Sequence, residues 1–304
     1  MNETVQQKAV TRMKKYSGSL KNLRNKEQGN EEVLSLEIIY FPDGRTKEEM
    51  RYNKNGVVEE QHEFIYDAEN RMILHNWSMP LDEVEQAEKI ERDEKGRVVR
   101  EVKLYYGEEG DSAMYSYDEK GRVASIKFTD EEGEIVQEEK LTYNDLDKVT
   151  SRIMVDGTGK QVSGTNYIYD DKGVMTAQEE TGEKGEKQFD TVFEHDENGN
   201  EISVSRRTDK NKITQRVVNT YDENNRLIKR LASSNFTRIY TYEYDETGRL
   251  VDETATDENG TLISRNSMHF DEEGRLTHET SYEMDLTHSA RDMAMTYRYE
   301  YFTD

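Results

Sequence analysis

Histidines are the first side chains in this sequence that could do chemistry. The six are His62, His75, His195, His269, His278 and His288. No two of them have the H-x-x-x-H or H-x-x-E-H spacing that places metal ligands on one face of a helix. His195 could act as a general base because imidazole titrates near neutral pH, but no partner nucleophile can be named for it. We interpret His195 as a packed ring and predict no catalytic residue, no metal site and no cofactor.

Acidic turns are the second candidate for chemistry. Segments such as DENG at 257–260 and DEEG at 271–274 could suggest calcium, or a pair of glycosidase carboxylates. Calcium loops, however, place oxygen ligands at alternating positions over a longer span. With 65 acidic residues in the chain, the proximity of two carboxylates carries little information about a glycosidase pair. We expect the acidic turns to serve turn geometry, we predict that the chain is not an enzyme, and a glycoside hydrolase stays as a lesser alternative.

These turns belong to a repeat with a period of 26 residues. Its copies begin at Tyr40, Tyr66, Arg92, Tyr117, Tyr143, Tyr169, His195, Tyr221, Tyr244 and Phe270. The next residue is Asp or Asn in nine of the ten copies, and its short side chain can accept backbone N–H groups to start a turn. Three positions later stands Gly, Asn or Asp, which tolerate a positive φ. The pattern predicts a hairpin loop built on a type I turn and closed by a left-handed residue.

Strands are predicted on both sides of each turn. Large apolar residues alternate with polar ones before the turn, as in TRIYTYEY at 237–244, and a charged-then-apolar step follows it. A weaker turn, such as VDGTG at 155–159, comes about 12 residues later. Each unit therefore holds two strands. The fold class is all-β, an elongated and curved antiparallel β-meander or solenoid of about ten 26-residue two-stranded repeats.

The repeat divides the chain into three parts. Residues 1–29 form a basic segment or cap with a net charge of +5, residues 30–283 form the array, and residues 284–304 form a capping segment. Within the array, residues 78–91 depart from the pattern beside Trp77, the one tryptophan of the chain. We interpret residues 78–91 as a longer hairpin loop, and a binding loop that carries an exposed Trp77 is the alternative.

Charge and composition exclude several classes of partner. The net charge is −23, so the chain after residue 29 carries −28, which disfavours nucleic acid and anionic membranes. There is no cysteine, and no apolar run approaches the roughly 20 residues that a membrane helix needs. The first residues do not resemble a signal peptide. We predict no nucleic-acid binding, no membrane insertion, and a monomer.

The consensus Tyr-Asp-x-x-Gly-Arg-Leu resembles the YD repeats of Rhs-type polymorphic toxins, insecticidal toxin-complex shells and teneurins. Tyr117-Asp118 with Gly121-Arg122 and Tyr244-Asp245 with Gly248-Arg249 match it position for position. The resemblance implies a coiled sheet or shell with stacked tyrosines, secretion or a cell-surface location, and binding of protein or carbohydrate. No toxin-like core motif or appended domain is found, and ten units look too few to enclose a folded cargo. We therefore expect an open array rather than a closed shell.

The function predicted from these observations is a non-catalytic scaffold that binds a protein partner through an extended acidic β-surface. The alternative is a carbohydrate-binding surface or secreted module whose aromatic rings stack on a polysaccharide. The candidate ligand-binding residues are Trp77, Tyr117, Tyr143, Tyr169, Tyr221 and Tyr244. The same tyrosines could instead form the core of the sheet through cross-strand pairs.

Overall fold

The computed structural model describes residues 9–22, 27–28, 31–284 and 293–303. All regular structure in this part of the chain is β, which confirms the predicted class. The strands are β1 (Arg12–Asn22), β2 (Glu27–Gln28), β3 (Val33–Tyr40), β4 (Thr46–Tyr52), β5 (Val58–Tyr66), β6 (Met72–Met79), β7 (Val84–Arg92), β8 (Val98–Tyr105), β9 (Glu108–Tyr117), β10 (Val123–Thr129), β11 (Ile135–Tyr143), β12 (Val149–Asp156), β13 (Gln161–Tyr169), β14 (Met175–Thr181), β15 (Lys187–His195), β16 (Glu201–Thr208), β17 (Ile213–Tyr221), β18 (Leu227–Ser233), β19 (Thr237–Tyr244), β20 (Leu250–Thr256), β21 (Leu262–Phe270), β22 (Leu276–Glu283) and β23 (Met293–Phe302).

The hairpin turns are built as the sequence predicts. In the turn at 245–249, the N–H of Asp245 donates to the carbonyl of Arg249 at 2.9 Å, and the N–H of Gly248 donates to the carbonyl of Asp245 at 3.0 Å. Gly248 has a φ of 86°, and Asn225 has a φ of 60° at the equivalent position. The left-handed conformation explains why only Gly, Asn and Asp stand there. The ten turns that begin each 26-residue copy lie at one end of the strands, which we call the YD end, and turns with the same hydrogen bonds, such as 257–261, lie at the other end.

The sheet closes on itself, so the prediction of an open array or solenoid is wrong. From β3 to β23 each strand pairs antiparallel with the strands before and after it. Strand β1 then pairs with both ends of this meander: Met13 lies opposite Ile38 of β3 on one side and opposite Tyr301 of β23 on the other. Strand β2 pairs with β1 alone. The result is a closed antiparallel barrel of 22 strands, in which no barrel strand is left with an unpaired edge.

The stagger of the strands is uniform around the barrel. Ile65 of β5 pairs with Leu74 of β6, and Leu74 pairs with Lys89 of β7. The residue equivalent to Ile65 in the next repeat is Glu91, so the pairing shifts by two residues per repeat. The same shift of two residues occurs at all eleven such steps, including the step through β1. Stagger and strand number are therefore equal, as in eight-stranded TIM barrels, and this ratio gives a strand tilt of about 36°. With strands about 4.8 Å apart, a circular section has a radius of roughly 20 Å.

The aromatic face of the strands lines the lumen. In a β-barrel the strands wind around the axis as right-handed helices. Seen from outside with the YD end at the top, each strand leans to the right as it rises, so paired residues lie progressively lower toward the right. Because the stagger here runs away from the YD end, each next strand lies to the right of the one before it. In an ascending strand of L-residues, a side chain that faces this viewer has its N–H directed to the right. The N–H of Tyr40 bonds instead to the left, to the carbonyl of Thr11 beside β1, at 2.9 Å. Tyr40 and its equivalents therefore point inward.

The wall of the barrel is one sheet thick. No described strand comes within 8 Å (Cα to Cα) of any strand other than its pairing partners. The accessible surface is 19983 Å², whereas a compact protein of 35.6 kDa would expose about 13,000 Å². Val102 is the one large side chain that is fully buried among the described residues. As far as the described residues show, the lumen is therefore open space bounded by side chains, and both faces of the sheet meet solvent.

Candidate functional site

A carboxylate and a guanidinium are joined at most turns of the YD end. In the turn at 222–226, Oδ1 of Asp222 accepts the N–H groups of Asn224 and Arg226, both at 2.9 Å, and Oδ2 accepts Nε of Arg226 at 2.7 Å. The backbone hydrogen bond from Arg226, with the side-chain bond and charge of the same residue, lowers the pKa of Asp222. The carboxylate is thereby fixed as an ionised turn element, and its acceptor positions are used within the turn.

The five predicted tyrosines lie at the YD end, where each is the last residue of a strand that runs toward that end. Each hydroxyl donates to a backbone carbonyl of the preceding strand: Tyr117 to Val98 at 2.6 Å, Tyr143 to Val123 at 2.7 Å, Tyr169 to Val149 at 2.9 Å, Tyr221 to Glu201 at 2.9 Å, and Tyr244 to Leu227 at 2.8 Å. Burial raises the pKa of Tyr117, Tyr143, Tyr169 and Tyr244. The five hydroxyls serve as hydrogen-bond donors that tie neighbouring strands together.

Arginines cover some of these rings. The guanidinium of one repeat lies over the ring of the next, with the guanidinium carbon at 4.3 Å from the ring centre for Arg97 on Tyr117, 4.4 Å for Arg122 on Tyr143 and 5.0 Å for Arg226 on Tyr244. Among the described residues no such cation lies over Tyr169 or Tyr221. The reason is visible in sequence, because the arginine position of the preceding turn is Lys148 or Asn200 there. These two half-buried rings therefore lack the arginine that covers the other three.

Trp77 lies apart from the tyrosines and within a strand. The turn between β6 and β7 occupies residues 80–83, so residues 78–91 are not the longer loop that the sequence predicts. Trp77 is on the lumen face of β6, toward the end opposite the YD turns, opposite His62 of β5. Its indole N–H donates to Oε1 of Glu60 at 2.7 Å. The structure therefore does not bring Trp77 together with the five predicted tyrosines.

Two histidines form a hydrogen-bonded pair beside Trp77. Nδ1 of His62 lies 2.8 Å from Nε2 of His75, and Nε2 of His62 lies 3.2 Å from Oε1 of Glu60. Because the ionised carboxylate can only accept, Nε2 of His62 carries a proton and donates to Glu60, and one further proton is shared between Nδ1 of His62 and Nε2 of His75. The ring of Phe64 stacks on His75 with centroids 4.5 Å apart. Burial, and next the neighbouring His62, lower the pKa of His75, which favours the neutral form of that ring.

A cavity of about 360 Å³ opens beside this pair. It is lined by Glu60, His62, His75, Trp77, Gln86, Ala87, Glu88 and Lys103. Lys103 comes from β8, where it lies opposite Glu88. Six other side chains come from lumen-facing positions of β5, β6 and β7, namely Glu60, His62, His75, Trp77, Gln86 and Glu88. Trp77 stands out in the sequence as the one tryptophan, but its partners in this cavity were not predicted. The position of the turn at 67–71 fixes the register of β5 and β6, which pairs His62 with Trp77 and Phe64 with His75. This register could have identified the two histidines from the sequence.

The other predicted features are scattered. His195 ends β15 in the aromatic column, opposite Glu201, and lies away from the cavity beside Trp77. His269 and His278 are exposed and lie opposite each other. His288 lies outside the described residues, as do residues 1–8, 23–26 and 29 of the basic segment and residues 285–292 of the predicted capping segment. No group of three or more His, Asp or Glu side chains suited to a metal ion occurs in the described part of the chain. Nor do the described ranges contain a helix long and apolar enough to cross a membrane.

The comparisons with known proteins agree with the repeat found in the sequence. The family model described as RHS Repeat matches residues 221–262, which confirms the resemblance to YD repeats. A search of curated proteins finds no match.

Solved structures resemble the chain over most of its length, at low identity. A TcdB2-TccC3-TEV crystal structure shares 12% identity at a TM-score of 0.45, over 86% of this chain and 18% of that one. A Photorhabdus luminescens Tc holotoxin pore shares 11% at a TM-score of 0.35, over 93% and 21%. A porin-like protein from Bacteroides uniformis shares 10% at a TM-score of 0.34, over 96% of both chains. This chain thus spans about a fifth of the two toxin structures, and none of these scores supports a transfer of function.

Proposed function

We propose that this chain, whose repeats are of the RHS type, is a non-catalytic scaffold that binds a basic protein. The observation that carries the proposal is the single-layered closed wall. Its accessible surface is about half as large again as that of a compact protein of this mass. A sheet that uses so little of its surface for a core leaves both faces for other molecules. The clear lumen, roughly 25 Å across after side chains are allowed for, is wide enough for an α-helix.

The sign of the charge selects the class of protein partner. The chain after residue 29 carries a net charge of −28. Many of its acidic groups are already used by turn arginines, as at Asp67, where the backbone and side chain of Arg71 lower the carboxyl pKa. Other carboxylates, such as Glu88 and Glu253, have no ion pair among the described residues. A basic polypeptide is the partner whose approach this field accelerates.

The test is a binding measurement on immobilised protein at two ionic strengths. Poly-L-lysine is the probe, poly-L-glutamate of equal length is the control, and salt is set at about 20 mM and about 500 mM. We expect saturable binding of the cationic polymer that weakens at least tenfold at high salt, and no binding of the anionic one. Folded basic proteins then replace the polymer. Failure of every cationic probe to bind at low salt would reject the proposal.

Carbohydrate binding is the second candidate, and the uncovered rings of Tyr169 and Tyr221 favour it. A sugar ring needs an aromatic face, which Arg97 and Arg122 occupy at Tyr117 and Tyr143. A glycan array at the same two salt concentrations tests it. Salt-resistant binding that is lost in Tyr169→Leu but kept in Tyr143→Leu would select this candidate, because both substitutions remove a similar hydrogen bond and only the Tyr143 ring is covered by an arginine.

A further inference from the structure

The barrel contains a repeated arrangement of a ring, a cation and a carboxylate. The guanidinium of Arg97 lies 4.3 Å from the ring centre of Tyr117 while its Nε donates to Oδ2 of Asp93 at 2.8 Å. Arg122, which bonds to Asp118, covers Tyr143 in the same way. In each case the cation satisfies a carboxylate at its edge and an aromatic quadrupole at its face. The protein thus shows within itself what environment its aromatic rings and carboxylates provide for a cation.

The cavity beside Trp77 has the ring and the carboxylates of this arrangement without its cation. Among the described residues no Lys or Arg lies over the indole, and no aromatic ring stacks on it. Glu60 is held by the indole N–H at 2.7 Å and is approached by Nε of Arg51 at 3.4 Å. Glu88 lines the cavity and forms no ion pair or hydrogen bond with the rest of the described chain. Lys103 lies opposite Glu88 in register, yet their charged atoms are more than 4.0 Å apart.

We propose that this cavity binds the guanidinium or ammonium group of an Arg or Lys side chain that belongs to a basic partner. The inference rests on the proposed function and names where the partner is held. The cation lies against the face of Trp77 and its N–H groups donate to the Glu88 carboxylate, with the side-chain carbonyl of Gln86 as a further acceptor. The cavity volume of about 360 Å³ lies within the range of small-ligand pockets.

The neighbouring charges give the cavity a preference that can be reversed by design. Glu60 and Glu88 attract a cation, whereas Lys103 and Arg51 oppose it. The charges of Glu88 and Glu49 also act on His75, where they raise its pKa against the larger effect of burial. The lowered pKa of His75 favours the uncharged form of that ring, which limits its repulsion of a cation. Removal of Glu88 should therefore weaken binding, and removal of Lys103 should strengthen it. An anionic ligand would respond to the two changes in the opposite directions, and a neutral sugar would respond to neither charge.

The fluorescence of Trp77 tests the proposal directly, because it is the one tryptophan in the chain. Arginine amide is the probe, and citrulline amide, which has the same shape without the charge, is its control. The variants are Glu88→Gln, Lys103→Gln and, as a charge-matched control at an exposed turn, Glu119→Gln. We expect saturable quenching by arginine amide alone, about tenfold weaker in Glu88→Gln, within twofold of wild type in Glu119→Gln, and tighter in Lys103→Gln. Near-UV circular dichroism of each variant confirms that the fold is kept.

Two results would overturn the proposal: equal affinities of Glu88→Gln and Glu119→Gln, or equal effects of arginine amide and citrulline amide. n-Butylamine, which carries an ammonium like that of a lysine side chain, is tested in parallel and separates ammonium from guanidinium binding. Failure of this cavity is distinguishable from failure of the scaffold. If poly-L-lysine binds without a change in Trp77 fluorescence, the cavity is not the site and the scaffold proposal stands. If arginine amide binds but no basic polypeptide does, the scaffold proposal falls alone.

Discussion

A disulfide across the seam of the barrel tests closure, the feature on which the lumen depends. Ser19 of β1 lies directly opposite Met295 of β23, and residues so placed have Cβ atoms about 4.5–5.5 Å apart, close to the separation that a disulfide requires. The chain has no cysteine of its own. The double variant Ser19→Cys/Met295→Cys should therefore oxidise to a single intramolecular bond. In an open array the same two residues would lie at opposite ends of the molecule.

The expected stabilisation follows from the length of the loop. A bond between residues 19 and 295 closes nearly the whole chain, which removes about 5–6 kcal/mol of denatured-state entropy in the chain-entropy treatment. Strain reduces such values, so we expect at least about 2 kcal/mol, or about 3 °C in Tm for a chain of this size.

Non-reducing electrophoresis and intact mass measure the bond, and thermal unfolding with and without reductant measures its effect. The control pair Ser19→Cys/Ser151→Cys places the second thiol on β12, nearly across the lumen, and should stay reduced. Two free thiols in the seam variant, or bonds formed between chains alone, would show that the sheet is open.

Three further substitutions probe the wall and the histidine pair, each followed by urea unfolding. Tyr143→Phe removes the 2.7 Å hydrogen bond to the Val123 carbonyl and should cost about 1 kcal/mol, whereas Tyr105→Phe, at a residue that is 38% exposed, should change stability by less than about 0.5 kcal/mol; equal losses would contradict the tie between strands. Val102→Ala, at a residue with 0% exposure, should cost about 2 kcal/mol for two lost methyl groups and the cavity left behind, and a neutral result would mean that this stretch is not packed. Because burial depresses the pKa of His75, its neutral form stabilises the fold above the unfolded pKa of about 6.5, and this contribution is lost as pH falls through the lower folded value. Between pH 7.5 and 5.5 the wild type should thus lose more stability than His75→Gln, and parallel losses would contradict this assignment.

The turns could be predicted from sequence because each is specified locally. A short acceptor at the first position and a residue that tolerates positive φ at the fourth are sufficient to define the hairpin, and Asn70, Asp147 and Asn225 adopt the left-handed conformation just as the glycines do. The alternation of TRIYTYEY likewise gave the correct face for Tyr240, Tyr242 and Tyr244. These features depend on neighbours within about 12 residues, so one sequence contains them in full.

Closure could not be predicted, because the strand that completes it does not carry the repeat. Strand β1, RMKKYSGSLKN, has no aromatic-Asp turn after it and was assigned to a basic segment. Its pairing with β23 joins residues more than 270 positions apart in sequence. Nothing local marks such a contact. Its lysines are also used in ways that composition hides, since Nζ of Lys15 lies 3.9 Å from the ring centre of Tyr297 across the seam.

The candidate site was partly visible for a related reason. Trp77 stood out as a single large ring, but its partners His62, His75 and Glu60 lie on two adjacent strands and become a cluster through register alone. Register follows from the position of the turn, so it was available in principle. To place the lumen-facing residues Glu88 and Lys103 beside Trp77, the register across the hairpin at 80–83 must also be known. The repeat is irregular there, and the predicted turn was in the wrong place.

Equal repeats determine the shape of the wall but not its size. Every unit adds two strands and a stagger of two residues, so the ratio of stagger to strand number, and with it the tilt of about 36°, is the same for any number of units. Only the radius grows with the count. A barrel of this kind therefore needs a terminus that differs from the repeat, and β1 and β23 provide it by pairing with each other and with the ordinary edges β3 and β22. The width of the lumen, and hence what can enter it, is set by how many units lie between those two strands.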